Sequence, residues 1–260
     1  PLGQNAWFEA GGDLAILTED GIIPVSEALR KDRAALMTVA ITYPIEDPWQ
    51  DVVSRRIGNY PFSVSLWHSK TLLVVGVPPQ DGVNVCFAAN ARTGAWCRIT
   101  GWDVQCSIVF GDRFYFGTSA GTILEGDTSG ADDGKPYTAT WVPKFIEPDG
   151  GNCSAAAARI TLKASDDVTP YFDAASDYEV GAFSAVPESV QSSGMTWGSS
   201  VWGVAKWGAS NVRISSTDWQ SVAAHGISLA PVFRFASSGA VRNTVEIVSA
   251  EMMYETGVTF

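Results

Sequence analysis

The chain has 260 residues, with 17 lysines and arginines against 28 aspartates and glutamates, so its formal net charge is −11. At this length one or two domains are expected, each able to bury a core. Apolar residues make up 46 % of the chain and charged residues 17 %, a balance that excludes intrinsic disorder. The longest apolar runs, such as residues 71–77, are too short to cross a membrane as a helix, and lysines and arginines form no cluster. We therefore expect neither a membrane span nor stable nucleic-acid binding through phosphate contacts.

A meander of short strands recurs three times in the first half of the chain. Each copy alternates β-branched or aromatic runs with turns that contain glycine or aspartate, which is the chemistry of β-hairpins. The second and third copies are offset by about 42 residues, the period expected of a four-stranded propeller blade. The predicted strands are 14–18 and 22–23 in the first copy, 71–77, 83–89 and 95–99 in the second, and 106–110, 113–117 and 122–125 in the third.

A helical insertion at about residues 26–58 explains the longer gap between the first and second copies. Ser26 is predicted to be the N-cap of a helix that runs toward Met37. Asp47 and Pro48 predict the start of a second helix, over residues 49–57, that stops at Gly58. The spacing of its apolar residues predicts a buried face formed by Val52, Val53 and Ile57.

A change of composition follows Asp127. Residues 128–136 are rich in Ser, Gly and Asp and are predicted to be a loop between two domains. Five further strands are predicted beyond it, at 137–142, 155–164, 168–173, 228–235 and 245–254. The last of them carries apolar side chains on both faces, which indicates a strand covered on both sides, as in a sandwich or an assembly.

The predicted fold is therefore all-β, with two parts. Residues 1–130 form a partial β-propeller with a short helical insertion, and residues 137–260 form a β-sandwich-like domain. Because residues 5–18 already resemble the middle of a sheet and the chain begins at Pro1, we interpret it as the C-terminal part of a longer protein.

Residues that would support catalysis are sparse. The two histidines, His68 and His225, stand in no metal-binding spacing, and the serine-rich residues 189–200 contain no nucleophile elbow. Aspartates 132–133 and 166–167 are either a calcium or glycosidase pair or, as we favour, solvated turn residues. We expect no catalytic, cofactor-binding or metal-binding residue and no enzyme activity.

The cysteines number four and are too few for a disulfide framework. Cys86 and Cys97 flank a predicted hairpin turn and are candidate cross-strand neighbours. We favour the simpler interpretation, in which the thiols are small buried side chains, and a reducing place of synthesis fits it. The four residues are Cys86, Cys97, Cys106 and Cys153.

Three Trp-Gly pairs recur at a strict spacing of five residues, beginning at Trp197, Trp202 and Trp207. Five is neither a strand nor a helix repeat, so the backbone must bend at the glycines. We expect an arch or an extended arm. The three rings either pack on their own domain, contact a neighbouring subunit or stack on sugars, and we name them as interface candidates.

Several segments resemble the tail nozzle proteins of short-tailed bacteriophages, also called tail tubular protein B or packaged-DNA stabilisation proteins. The resemblance lies in residues 12–24, 114–121 and 132–145 and in the Trp-Gly repeat, and it spans about residues 5–208. Each motif is weak alone, and their order is the specific part. This chain is shorter than such proteins, which places the missing blades before Pro1 or in another chain.

The resemblance implies a structural role without catalysis. It implies a homohexameric tube in the virion tail, made in the bacterial cytoplasm, that closes the channel after packaging and passes double-stranded DNA at infection. Its expected partners are an upper tail tube or adaptor protein and the tail fibres. The alternative is a carbohydrate-binding or glycan-cleaving module of a phage or secreted adhesin, suggested by the tryptophans and the paired carboxylates. A weaker possibility is a host enzyme of propeller fold.

Overall fold

The computed structural model describes residues 1–59, 61–148, 151–164, 168–181, 213–237 and 244–257. The chain divides into two compact units, Pro1–Gly126 and Asp127–Phe260. In the described part of both units, antiparallel strands dominate and the helices are few and short. The predicted all-β class is confirmed.

The first unit contains three sheets, each built from strands that follow one another in the chain. Pairing between successive strands is what hairpin turns dictate, and the two turns at Gly11–Gly12 and Gly111–Asp112 adopt the positive φ that such turns require. The first sheet is β1 (Trp7–Ala10), β2 (Asp13–Thr18) and β3 (Gly21–Pro24); the second is β4 (Ser63–Trp67), β5 (Leu72–Gly76), β6 (Val85–Asn90) and β7 (Trp96–Thr100); the third is β8 (Cys106–Phe110), β9 (Arg113–Gly117) and β10 (Ile123–Glu125).

The three sheets stack face to face in chain order. Phe8 and Leu17 of the first sheet share one buried core with Val75 and Phe87 of the second. The opposite face of the second sheet shares another core with the third sheet. In that second core the ring centroids of Trp67 and Phe114 lie 6.2 Å apart. The described sheets are open, and none of them closes into a barrel.

The insertion between the first two sheets is more broken than the sequence predicted. Its first part is α1 (Val25–Ala28), α2 (Arg33–Leu36) and a 3-10 turn at Met37–Val39. Ser26 is not an N-cap: Pro24 holds that position, and the Ser26 hydroxyl donates instead to Asp13 Oδ2 at 2.5 Å. The predicted continuous helix is wrong because Asp32 is extended (φ −69°, ψ 156°) and separates the two short helices.

The second predicted helix is α3 (Glu46–Ser54), which begins at Glu46 and ends before Gly58. Pro48 is the third helical residue, where its missing N–H removes no intrahelical bond. Trp49, Val52 and Val53 are buried, but Ile57 is half exposed and its predicted burial is wrong. The backbone N–H of Arg56 donates to Val53 O, three residues back. An α-helical bond reaches four residues back, so the α-helix ends before this turn.

Two buried side chains hold α3 in place. The indole N–H of Trp49, which is fully buried, donates to the carbonyl of Thr18 at 3.2 Å. The guanidinium of Arg56 donates to Val52 O at 3.0 Å and to Pro78 O at 2.8 Å. Burial lowers the pKa of Arg56, and the two carbonyl oxygens compensate for the lost hydration by accepting hydrogen bonds from its N–H groups.

In the described part of the second unit, a three-stranded sheet and a four-stranded sheet surround a shared core. One has the order β13-β18-β15, and in the other β14 pairs with β19 on one side and with β16 and β17 on the other. Phe233 and Leu162, one from each sheet, are among the fully buried residues of this core. The strands are β11 (Ala131–Asp132), β12 (Lys135–Pro136), β13 (Thr138–Trp141), β14 (Cys153–Ala164), β15 (Tyr171–Ser176), β16 (Arg213–Ser216), β17 (Gln220–Gly226), β18 (Leu229–Ala236) and β19 (Val245–Thr256).

Three expectations for this unit need correction. The predicted loop 128–136 contains the two-residue hairpin β11–β12, which turns at Asp133 and Gly134 with positive φ. The strand predicted at 168–173 starts three residues later, after Pro170, which has no N–H to give to a ladder. The described residues leave Val248, Met253 and Tyr254 of β19 exposed, so cover of both faces by the sandwich is wrong for this part of the chain, while cover by an assembly stays a prediction.

Candidate functional site

The third sheet of the first unit leaves one face open, and that face is apolar. Its inward side chains, Phe114 and Phe116, are buried against the second sheet. On the other side Ile108, Phe110 and Ile123 are 60 %, 74 % and 78 % exposed. Strand register places eight residues on this side, which we call the outer face: Cys106, Ile108, Phe110, Arg113, Tyr115, Gly117, Ile123 and Glu125.

One ion pair crosses the outer face. Arg113 Nη1 lies 3.5 Å from Glu125 Oε1, and both residues flank Tyr115. The hydrogen bond with Tyr115 and the charge of Glu125 raise the pKa of Arg113. An exposed apolar patch that contains a few charged groups is typical of a protein-binding surface.

The edge of β19 is a second open surface, in the other unit. β19 is twelve residues long and pairs only with β14 among the described residues. Its face away from the core carries two ion pairs beside the exposed side chain of Met253: Lys163 Nζ lies 3.1 Å from Glu246 Oε2, and Arg159 Nη2 lies 2.6 Å from Glu251 Oε2. Trp219 stacks on Arg159, with the guanidinium carbon 4.7 Å from the ring centroid. These charges suit a solvated face with an unpaired edge.

A groove of about 280 Å³ in the second unit is lined by aromatic and aliphatic side chains. Its lining includes the aromatic rings of Tyr137, Trp141 and Phe235 and the aliphatic side chain of Ile247. The polar groups at its rim are Thr140 and Ser237, and Ser237 donates its backbone N–H to Tyr137 O at 2.8 Å. Aromatic walls with a few hydroxyls are the kind of lining on which a sugar ring can stack.

An acidic cleft of about 370 Å³ lies where α3 meets the β2–β3 turn. Glu19 and Asp20 come from the turn, and Asp47 and Asp51 come from the helix. Two of these carboxylates already have cationic partners, since Asp20 pairs with Arg33 at 3.0 Å and Asp51 pairs with Arg55. The cleft is therefore a partly neutralised acidic surface.

The described residues that the sequence suggests for chemistry do not converge. Among the described residues no group of three His, Cys, Asp or Glu side chains is arranged to hold a metal. His225 Nδ1 lies 2.9 Å from Ser154 Oγ on an exposed strand, and His68 belongs to the other unit. Asp132 and Asp133 belong to the β11–β12 hairpin, and residues 165–167 lie outside the described chain. No described helix is long and apolar enough to span a membrane.

The four cysteines are free thiols. Cys86 faces Ile99 across the β6–β7 ladder and Cys97 faces Ala88, so the two thiols are diagonal rather than opposite. Burial raises the pKa of Cys86 to about 12, so this thiol stays protonated. The expectation of buried thiols fits Cys86 and Cys153 but not Cys97 and Cys106, which are exposed.

The interface candidates Trp197, Trp202 and Trp207 lie outside the described residues, and their role stays a prediction. Sequence reasoning missed the outer face. The signal was present in Ile108 and Phe110, which share one side of β8, but Val109 is apolar too and the strand pattern does not tell which side is open.

Comparison with protein-family models, with curated proteins and with solved structures finds no match in any of the three.

Proposed function

We propose that this chain is a non-catalytic building block of a phage tail nozzle, as the sequence resemblance implies. The observation that carries the proposal is the stack of three meander sheets that ends on the apolar outer face. Ile108, Phe110 and Ile123 are too exposed to serve the core of this unit. Large apolar side chains on a sheet face are costly in water and favour assembly.

The acidity of the chain fits a channel protein. Duplex DNA sticks to surfaces that present lysine and arginine, because each neutralised phosphate releases a counterion. A wall with the composition of the acidic cleft, formed by Glu19, Asp20, Asp47 and Asp51, would repel DNA and let it slide. Plain solubility is the competing explanation of the net charge of −11.

The test is to locate the chain in particles. Antibodies raised against the purified chain are expected to label one end of the tail of phage particles from the source of this sequence. Mass spectrometry of the same particles is expected to detect several copies of the chain per particle. An absence of the chain from purified particles would refute the proposal. Heparin-column retention at low salt would refute the channel argument, because a repelling surface does not bind a polyanion.

The aromatic groove favours the alternative, a glycan-binding module. Tyr137 and Trp141 line it, and a saccharide would bury their apolar faces. A glycan array with the purified chain tests this idea against the first. If the monomeric chain binds a saccharide and Trp141→Ala abolishes that binding, the result would favour a glycan-binding module over a nozzle component.

A further inference from the structure

The three sheets of the first unit follow one stacking rule. The residue just before the first hairpin turn is Ala10 in the first sheet, Trp67 in the second and Phe110 in the third. Ala10 packs in the core between the first and second sheets, and Trp67 packs in the core between the second and third. The face that carries this residue is therefore the face that receives the next sheet. Phe110 marks the same face in the third sheet, where it is exposed.

Six of the eight outer-face residues correspond to residues that are buried in the preceding sheet, and the other two correspond to the half-buried Ser65 and Leu72. Strand register aligns Phe110 with Trp67 and Ile123 with Cys86. Trp67 is 5 % exposed and Cys86 is fully buried, both under the third sheet. The outer face thus repeats a docking face of this same chain, one sheet further along.

Two glycines strengthen this correspondence. A Cβ at Gly76 would lie 2.8 Å from Val104 Cγ1 and 2.9 Å from Val104 O, so the approach of the segment before the third sheet requires glycine there. Gly117 occupies the matching position in the third sheet. A Cβ at Gly117 would have only Cys106 Sγ of the described residues within 4 Å, at 2.9 Å. Gly117 leaves room for an approaching backbone that the described part of this chain does not supply.

The other end of the stack offers the complementary surface. Register aligns Leu14 and Ile16 of β2 with Phe114 and Phe116, which insert from the third sheet into the second. In the first sheet these positions are only half buried, and Trp7 beside them is 50 % exposed. We call Trp7, Glu9, Leu14 and Ile16 the lead face. Glu9 on it and Arg113 on the outer face carry opposite charges.

We propose that the outer face of one copy binds the lead face of a second copy, so that the sheets of successive copies continue one stack. The contact is head-to-tail, and such contacts close into rings when the rotation per copy divides a full turn. The inference deepens the proposed function and rests on it in one respect, since it names the surfaces through which the copies of a tail component join.

Sedimentation velocity of the purified chain, from about 1 to 100 µM, tests the contact through single substitutions. Phe110→Ser and Trp7→Ser are each expected to weaken self-association at least tenfold, because each removes a large apolar side chain from one of the two faces. Leu29→Ser is the matched control: Leu29 is 82 % exposed but belongs to neither face, so self-association should not change. Circular dichroism confirms that each variant is folded.

Mixing the variants tests the head-to-tail geometry. Phe110→Ser keeps an intact lead face and Trp7→Ser keeps an intact outer face, so an equimolar mixture is expected to form dimers that grow no further. A mixture that stays monomeric would overturn the geometry. The space above Gly117 is tested by the double variant Cys106→Ala, Gly117→Ala, which avoids the contact with Cys106 Sγ. It should associate at least tenfold more weakly than Cys106→Ala alone.

The outcomes separate this inference from the proposed function. A wild-type chain that is monomeric at 100 µM, or one that assembles equally well with Phe110→Ser and Trp7→Ser, overturns the inference. In the second case the nozzle proposal stands, because assembly then uses another surface. Absence of the chain from phage particles refutes the nozzle proposal whatever the sedimentation results, which bear only on the contact.

Discussion

The hydroxyl oxygens of Ser65 and Ser107 lie 2.8 Å apart and join the second sheet of the first unit to the third. The two residues are 42 positions apart in the chain, which is the offset at which the meander repeats. Ser65 is half-buried, whereas Ser63, two residues before it on the same face of β4, is buried, and its hydroxyl has no hydrogen-bond partner among the described residues.

This contrast predicts opposite effects of one substitution at two neighbouring serines. Ser65→Ala breaks a hydrogen bond and leaves Ser107 unpaired, so it should lower the free energy of unfolding by about 1 kcal/mol. Ser63→Ala removes an unsatisfied buried hydroxyl and should leave the stability unchanged or raise it by up to about 1 kcal/mol. Urea denaturation measures both. Equal losses at the two positions would contradict the assigned hydrogen bond.

We expect a larger loss of folding stability when Gly76 is substituted. Its Cβ would lie 2.6 Å from Ser63 Oγ as well as within 3 Å of Val104. Gly76→Ala should therefore destabilise the chain by about 1–3 kcal/mol, because a backbone carbonyl and a packed side chain must move. Gly181→Ala is the control, since nothing lies within 4 Å of a Cβ there. Thermal unfolding distinguishes them, and a stable Gly76→Ala variant would show that the two sheets pack less closely than these distances indicate.

The lowered pKa of Asp112 leads us to expect a loss of folding stability in acid. Hydrogen bonds from Ser69 and from the indole N–H of Trp67, the latter at 3.2 Å, hold the pKa of Asp112 below its ordinary value of 3.8. A lowered folded-state pKa means that the stabilisation is complete above the unfolded-state pKa and disappears as the pH falls through the folded-state value. The free energy of unfolding should therefore decrease as the pH drops below about 4.

The variant Asp112→Asn isolates this contribution. An amide does not ionise, so the dependence of unfolding free energy on pH between about 5 and 2 should be shallower than in the wild type. Ser69→Ala removes one donor and should give an intermediate slope. Identical slopes in all three proteins would rule out Asp112 as the titrating group.

The Trp-Gly repeat carries the remaining prediction. Trp197→Ala, Trp202→Ala and Trp207→Ala should each fold but assemble poorly, with the central Trp202 most affected. Truncation of a tryptophan at the centre of an interface costs at least about 2 kcal/mol of association energy. Sedimentation measures assembly and calorimetry measures the stability of the subunit. Normal assembly with lower thermal stability would place the rings in the core of their own domain.

The meanders could be predicted because their information is local. Alternating apolar residues and turns with Gly or Asp specify each hairpin of the third sheet, and the predicted strands 106–110 and 113–117 match β8 and β9. β4 carries a strand signal, because Ser63 and Ser65 alternate with apolar residues, but the meander predicted from the sequence starts after it. β17 escapes sequence prediction because its Gln, Ser, Ala and His residues favour a strand only weakly, and pairing with β14 decides its conformation.

Exposure could not be predicted in the same way. Val245–Thr256 has apolar residues on both faces, and the packing of Ile247, Ala250 and Met252 against the core of the second unit decides which of them are covered. The outer face has the same origin: Ile108 and Val109 are equally apolar, and the stacking of the second sheet on one side leaves the other open.

The pairing of β14 has a consequence for the order in which the protein forms during synthesis. Each sheet of the first unit is complete as soon as its own consecutive strands have left the ribosome. In the second unit, Arg159 of β14 pairs with Glu251, which is 92 residues further along the chain and is synthesised later. Likewise, β13 has no partner strand until β18 has been synthesised. Distant pairing slows folding. Nascent chains should therefore hold a folded first unit and an open second one, with the apolar side of β14 accessible to chaperones until β18 covers it and the edge of β14 unpaired until β19 is synthesised.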